Sequence, residues 1–204
     1  MTRKLLVATH NPGKVKEYRQ ILADLPVEVT WLDEEGITLE VPETGASFEE
    51  NAILKAETYA RLSGLLTWAD DSGLEVDALG GWPGVASARH AGAQASDMDR
   101  VQILLQRMAD VPDEKRTAVF RCVVAVAAPG DGAIFTASGS SAGVIARKPS
   151  GSHGFGYDPV FFVPKYGKTY AELTPEQKHA LSHRGRAARR ARVLLKRYLE
   201  QLEG

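Results

Sequence analysis

The sequence predicts an α/β fold, a mixed central sheet flanked by helices, carried on a single domain spanning residues 1–204. Three observations lead there. Short apolar runs of strand length alternate with longer runs of helical spacing. Clusters of Gly, Pro and Asp separate them. The composition, 44% hydrophobic and 25% charged over 204 residues, is that of an ordinary globular chain. No repeat or long linker interrupts it, and closely spaced strands after Arg116 predict a hairpin-rich second lobe.

Taken in order, Lys4–Thr9 (KLLVAT) is a short apolar run closed by Asn-Pro-Gly, which suits a strand buried on both faces. Its basic start at Met1–Lys4 is followed by too few apolar residues for a signal peptide. From Gly13 to Ala23, Val15, Tyr18, Ile21 and Leu22 recur at helical spacing; Val27–Leu32 reads as a strand and acidic Asp33–Gly45 as loop. Ser47 and Glu50 have the spacing of a capping box, opening a helix whose apolar contacts include Phe48, Ala52, Leu54, Ala56, Tyr59 and Leu62 and which Gly64 closes. Leu65–Ala69 reads as a strand ending at Asp70-Asp71-Ser72-Gly73. Extended structure resumes over Leu74–Leu79 and breaks at Gly80-Gly81-Trp82-Pro83-Gly84. Asp97–Met108 is a helix with Val101, Ile103, Leu104 and Met108 on its apolar face. Arg116–Ala128 is a strand, Pro129–Gly132 a turn, Ala133–Ser138 the return strand, and Gly143–Ala146 a further one. Glycine-rich Ser150–Asp158 leads into Pro159–Val163. Thr174-Pro175-Glu176-Gln177 starts a helix with an N-cap, an N1 proline and a capping-box glutamine, and Arg186–Leu202 is a basic amphipathic helix.

Charge and cysteine content exclude several function classes. With 25 basic and 26 acidic residues the formal charge is −1, so no global field draws the chain to nucleic acid or lipid. The arginines of the last helix are therefore read as a solvated face. A single cysteine, Cys122, excludes a disulfide framework and a multi-cysteine metal site, and suits a reducing cytoplasm. No apolar run approaches the roughly 20 residues of a membrane span.

Four polar clusters fall at element ends. Thr9-His10-Asn11-Pro12-Gly13-Lys14 makes a strand-to-helix turn, where helix N–H groups and the lysine would attract an anion; the Walker A spacing is absent. The bland alternative is an Asn-Pro-Gly turn. Glu43-Thr44-Gly45 precedes the helix carrying Asn51 and Lys55, and Lys55 shares a face with Phe48 and Asn51, which is not a solvent face. Asp70-Asp71-Ser72-Gly73 holds adjacent carboxylates that suit Mg²⁺ or Mn²⁺ with phosphate oxygens, or else simple turn chemistry. Asp-Ser-Gly also occurs in aspartic proteases, but one copy would require a symmetric dimer. The fourth cluster joins Gly154-Phe155-Gly156-Tyr157-Asp158 to Ser182-His183-Arg184, with an aromatic able to stack on a base and a forked Arg184 able to meet a purine O6. Core aromatics and a helix-cap histidine are its alternatives. Together the four favour a nucleoside phosphate site.

In this order the segments THNPGK (9–14), ETGASFEENAILK (43–55), ADDSG (69–73), GGWPGVASAR (80–89), FGYD (155–158) and SHR (182–184) resemble the inosine/xanthosine triphosphate pyrophosphatase family. The resemblance implies an elongated mixed sheet, two lobes with the active-site cleft between them, a homodimer, and Mg²⁺-dependent hydrolysis of ITP, dITP and XTP to monophosphate and pyrophosphate. It implies Asp71 as general base and metal ligand, with Glu43 and Asp70 as further metal carboxylates, a role Glu40 is placed to share. It assigns Thr9, Asn11, Lys14, Lys55 and Ser72 to the triphosphate, with Lys14 and Lys55 also catalytic, and counts His10, Pro12 and Gly13 of the same turn as substrate-binding. Phe155, Gly156, Tyr157, Asp158, Lys178, His183 and Arg184 would enclose the nucleoside. A cytoplasmic enzyme of small-molecule nucleotides, with no nucleic-acid or membrane partner, is expected. Trp82, on a glycine-rich loop, either marks an interface or packs under its own loop.

Overall fold

The computed structural model describes residues 3–92, 94–130 and 132–202. The chain divides into two compact units. Unit 1 comprises Met1–Asp71, Cys122–Gly139 and Arg184–Gly204, and unit 2 comprises Ser72–Arg121 and Ser140–His183. Seven strands lie in the order β2-β1-β3-β4-β5-β6-β7. Their ranges are β1 Arg3–Val7, β2 Val27–Trp31, β3 Leu66–Val76, β4 Thr117–Ala128, β5 Gly132–Ile145, β6 Phe161–Val163 and β7 Lys168–Thr169. The helices are α1 Pro12–Ile21, α2 Phe48–Ser63, α3 Asp97–Arg107, α4 Pro175–Leu181 and α5 His183–Gln201. β1 is parallel to β2 and β3, whereas β6 is antiparallel to β5 and β7, so the sheet is mixed as expected.

Unit 1 has a core on each face of its strands, because alternate residues point to opposite faces. Leu5, Val7, Trp68, Cys122, Val124 and Val126 join α1 residues Tyr18 and Leu22 and α5 residues Ala187, Ala188, Ala191 and Leu195. Leu6, Ala8, Ala69, Ala125 and Ala127 join Ala52, Ala56, Tyr59 and Ala60 of α2. β1 is thus buried on both faces, and Leu5 and Leu6, each fully buried, contribute roughly 1.5–3 kcal/mol apiece. Unit 2 gathers Leu74, Val101, Leu104, Met108, Phe120, Phe161 and Tyr170 into its own core. There the buried Arg116 donates to the Met108 and Ile145 carbonyls at 2.7 Å, satisfying the end of α3 and the end of β5 with one side chain.

Several expectations are corrected. Asp70-Asp71-Ser72-Gly73 is not a break: β3 runs unbroken through it. The two carboxylates do not repel the chain into a turn, because a strand sends them to opposite faces, where each meets its own cations. Gly143–Ala146 is not a separate strand, because β5 continues to Ile145. Gly143 sits so close to β6 that a Cβ would lie 2.6 Å from the Phe162 carbonyl oxygen. The last helix begins three residues earlier than expected, at His183, which puts His183 and Arg184 in its first turn. The Ser47 box is half formed. Ser47 accepts from the Glu50 N–H, but the Glu50 carboxylate accepts from the Ala46 N–H instead of from Ser47. The Thr174–Gln177 box is complete. Leu62 is exposed rather than packed. Trp82 takes the packed alternative, with the Arg107 guanidinium 4.1 Å above its ring and His90 edge-on at 4.6 Å. In the expected turn at 129–132, Asp131 lies outside the described residues. Among the described residues no helix is long and apolar enough to cross a membrane.

Candidate active site

The alternation of β3 organises the acidic pair. Trp68 and Asp70 share the face of β3 turned to α1 and α5, whereas Ala69 and Asp71 share the face turned to α2. Each carboxylate therefore pairs with a different lysine, Asp70 with Lys14 and Asp71 with Lys55.

On the α2 face, Asn51 and Lys55 stand one helical turn apart on the buried side, as their spacing with Phe48 predicts. Asn51 Nδ2 donates to Asp71 Oδ2 at 3.0 Å, and Asn51 Oδ1 accepts from the Gly45 N–H at 2.7 Å. One amide thus orients Asp71 and ties down the loop that carries Glu43. Glycine is required at position 45 because a Cβ would lie 2.7 Å from the Glu50 Cβ and 2.8 Å from Asn51 Oδ1. Lys55 Nζ bridges the acids, 2.5 Å from Glu43 Oε1 and 3.7 Å from Asp71 Oδ1. Glu40, expected to share in this set, is exposed.

On the α1 face, Asn11 caps α1 by accepting from the Gly13 and Lys14 N–H groups at 2.9 and 3.2 Å, and its own N–H donates to Thr9 Oγ1. Those N–H groups already have an internal acceptor, so an anion at this turn would have to replace Asn11; the Lys14 charge is the stronger attraction. Lys14 Nζ lies 3.0 Å from Asp70 Oδ1. Arg184 Nη1 donates to Glu17 Oε2 at 3.1 Å, and its Nε lies 3.5 Å from Asp70 Oδ2. The expectation that Arg184 is a base-reading fork meets a guanidinium held among buried acids. His10 Nδ1 is 2.5 Å from the Asp33 carboxylate.

The two aspartates titrate in opposite directions. Burial pushes the Asp70 carboxyl up, but Lys14, Arg184 and Lys55 outweigh it and hold Asp70 well below the usual carboxylate range. Burial also pushes Asp71 up; Lys55 opposes this and Glu43 adds to it, so Asp71 ends above its ordinary value. Burial lowers Lys55, yet Asp71, Glu43 and Asp70 together keep it raised, and therefore charged.

The Asp70 shift carries a stability prediction. A carboxyl depressed in the folded state contributes stability above its unfolded value near ~3.9 and loses it as pH falls through the lower folded value. Asp70→Asn should cost about 3–5 kcal/mol at neutral pH, as for a broken buried ion pair. In denaturant melts of both proteins over a pH series, the gap should narrow below about pH 4. A gap independent of pH would contradict the assignment.

Unit 2 holds the other expected set. The turn Gly154–Asp158 has left-handed glycines at 154 and 156. Asp158 Oδ2 accepts from the Phe155 N–H at 2.9 Å and from Lys178 Nζ at 2.7 Å, and Lys178 Nζ also lies 4.6 Å from the Phe155 ring centroid. Gly154 must lack a side chain because a Cβ would lie 2.0 Å from Asp158 Oδ2. The Gly156 N–H donates to Asp97 at 2.7 Å. Phe155 is half-buried, and Tyr157, Asp158, Lys178 and His183 are buried. His183 stacks on Phe120 at 4.4 Å, while Ser72 is half-buried on β3.

The structure therefore collects Asn11, Lys14, Glu43, Lys55, Asp70, Asp71 and Arg184 in unit 1, and Phe155–Asp158 with Lys178 in unit 2. Sequence reasoning assigned no role to Asn51, Glu17 or Asp97. Asn51 was detectable from its place on the Lys55 face. Glu17 follows Lys14 by one helical turn, a spacing that puts it on the same face. Asp97 carried no signal beyond its place at the start of α3.

The comparisons with known proteins agree with the motif reading. The Ham1 family profile matches residues 5–193. The chain is 52% identical over 188 residues to a dITP/XTP pyrophosphatase of Pectobacterium atrosepticum, covering 92% of this chain and 95% of that one. Identity is 47% over 193 residues to the dITP/XTP pyrophosphatase of Bacillus subtilis, covering 95% and 97%. A solved HAM1 protein from Coxiella burnetii matches with a TM-score of 0.86 at 40% identity, over 96% of this chain and 99% of that one. The nucleoside-triphosphatase, dITP/XTP pyrophosphatase, of Mycobacterium abscessus matches with a TM-score of 0.72 at 47% identity, over 90% and 96%. By profile, identity and fold alike, this chain belongs to the Ham1 family.

Proposed function

We propose that the chain hydrolyses ITP, dITP and XTP to the monophosphate and pyrophosphate, removing them from the nucleotide pool. The observation that carries this reading is buried Asp71 and Lys55, with half-buried Glu43, beside Asn51. It combines a carboxylate of raised basicity with a lysine that stays charged at neutral pH. Names borne by relatives such as those of P. atrosepticum and B. subtilis support the substrate class.

Asp71 acts as general base. Its raised pKa makes it a better proton acceptor than an ordinary aspartate, and the Asn51 amide fixes which oxygen faces the water. That water attacks the α-phosphorus. Lys14 and Lys55 stabilise the charge that builds on the phosphate oxygens. Thr9, His10, Asn11, Pro12, Gly13 and Ser72 complete the triphosphate contacts. Asp70 holds Lys14 in place from the other face of β3.

The donor set fits Mg²⁺, with Mn²⁺ as the alternative. Among the described residues no three His, Cys, Asp or Glu side chains converge as a metal cage. Mg²⁺ typically takes one or two carboxylates and fills its octahedron with water and substrate phosphates. Glu43 and Asp71, already sharing one cation in Lys55, would be those two hard oxygen donors; Asp70, engaged by Lys14 and Arg184, would support them. Such an ion supplies Lewis-acid neutralisation of the phosphates.

Phe155, Gly156, Tyr157, Asp158, Lys178, His183 and Arg184 take the nucleoside, with Phe155 stacking on the base. Phe155→Ala should weaken ITP binding by roughly 1–3 kcal/mol while kcat changes little, as steady-state kinetics would record. An unchanged KM would remove the stacking role. We also propose a cytoplasmic homodimer, supported by the family resemblance and by a lone buried cysteine. The reading is tested by assaying pyrophosphate release from ITP, XTP, ATP and GTP with Mg²⁺. Release from ITP and XTP in strong preference to ATP and GTP is expected, and a preference for ATP would refute it.

A further inference from the structure

Unit 2 contains a hydrogen-bond chain, half-buried at His90 and buried at Tyr157, that ends on the Gly154–Asp158 turn. Tyr157 is 4% exposed and donates its hydroxyl proton to the Ser87 carbonyl at 2.9 Å. Its oxygen also lies 2.5 Å from His90 Nε2. A phenol has one proton to give. With that proton on the Ser87 oxygen, the histidine contact is attractive only when Nε2 carries the hydrogen. The opposite arrangement would set two bare oxygens against each other at 2.9 Å. His90 therefore donates from Nε2, and burial, with Arg100 and Arg107 nearby, favours its neutral form.

The chain has firm supports. Ser87 Oγ accepts from the Leu74 N–H of β3 at 2.9 Å and donates to the Gly84 carbonyl at 2.6 Å. The His90 ring is clasped by Trp82, over which Arg107 lies. The turn itself leans on few side chains outside its own Asp158 contacts. Its two glycines have left-handed backbone and so lend it little stiffness. Its Gly156 N–H rests on Asp97, whose side chain is 47% exposed. Asp158 holds the turn through the Phe155 N–H and Lys178, and Tyr157, beside it, is its second buried anchor.

We propose that His90 is a positioning residue for substrate binding: by donating Nε2–H to the Tyr157 hydroxyl it fixes the turn, and with it the Phe155 ring on which the base stacks. This rests on the reading of Phe155–Asp158 as the base-binding segment. The reacting phosphates are assigned to other residues, so loss of the bond should act on KM rather than on kcat.

The test compares His90→Leu, His90→Gln and His90→Asn by steady-state kinetics on ITP with Mg²⁺, with thermal melts of each. Gln reaches the Nε2 position with a donor N–H, whereas Asn does not. His90→Leu and His90→Asn should raise KM about tenfold, the equivalent of one hydrogen bond, with kcat within about twofold. His90→Gln should restore most of the wild-type KM, and in a Tyr157→Phe background His90→Leu should add nothing. An unchanged KM in His90→Leu overturns the proposal, as does a His90→Gln protein that melts like the wild type but binds like His90→Leu. If His90→Leu fails to fold, the Gln and Asn pair decides by the same criterion. A wild-type protein that releases no pyrophosphate from ITP overturns the functional reading, and this proposal with it.

Discussion

Asp71→Asn is expected to reduce turnover of ITP by at least ~10²–10⁴, the range associated with loss of a general base. The substitution keeps the shape of the side chain and its hydrogen bond from Asn51. It removes the proton acceptor and one of two carboxylates suited to Mg²⁺. Because burial and Glu43 hold Asp71 above its ordinary value, a charge there is costly to the fold, and its removal should leave stability unchanged or slightly raised. Coupled measurement of pyrophosphate release and a denaturant melt separates the two effects. Near-normal turnover would transfer the base role to another group, whereas a large loss of stability would mean that the Asp71 charge beside Lys55 is structural.

Arg184→Ala should have the next largest effect, and it should show in two ways. Read from sequence alone, the residue is a fork aimed at purine O6. Its truncation would then collapse the ITP/ATP ratio of kcat/KM mainly through lost ITP activity, because a site built on a hydrogen bond can reject an analogue lacking it by ~10⁴–10⁵. In the fold, however, Arg184 is buried against Glu17 and Asp70. Removing it strips two buried carboxylates of a shared cation and should cost about 3–5 kcal/mol. Asp70 would also lean more heavily on Lys14. The variant should therefore melt earlier and bind ITP more weakly, with GTP rejection retained, since guanine also carries O6. A stable variant with an unchanged ITP/ATP ratio would remove both roles.

The acidic pair shows what the sequence made legible and what it did not. Adjacent carboxylates announced a charged site, and the spacing of Phe48, Asn51 and Lys55 announced the helix face that meets Asp71. The break expected at Asp70–Gly73 does not occur: β3 continues to Val76 and turns the two side chains to opposite faces. The cations that offset them come from α1, α2 and α5, distant in sequence. No local pattern reports a pairing such as Glu17 with Arg184, 167 positions apart. Likewise Ser87, His90 and Tyr157 form a hydrogen-bond chain only once the fold assembles it. Strands and helices were mostly legible because their burial follows their own periodicity. The missed termini, at β5 and α5, were set by tertiary packing.

The most direct test follows the oxygen atom of the attacking water. ITP should be hydrolysed with Mg²⁺ in heavy-oxygen water and the products weighed by mass spectrometry. Attack at the α-phosphorus by a water that Asp71 deprotonates predicts one heavy oxygen in inosine monophosphate and none in pyrophosphate. Label found in pyrophosphate would place the attack on the β-phosphorus, and release of orthophosphate would place it on the γ-phosphorus; either result would contradict the account.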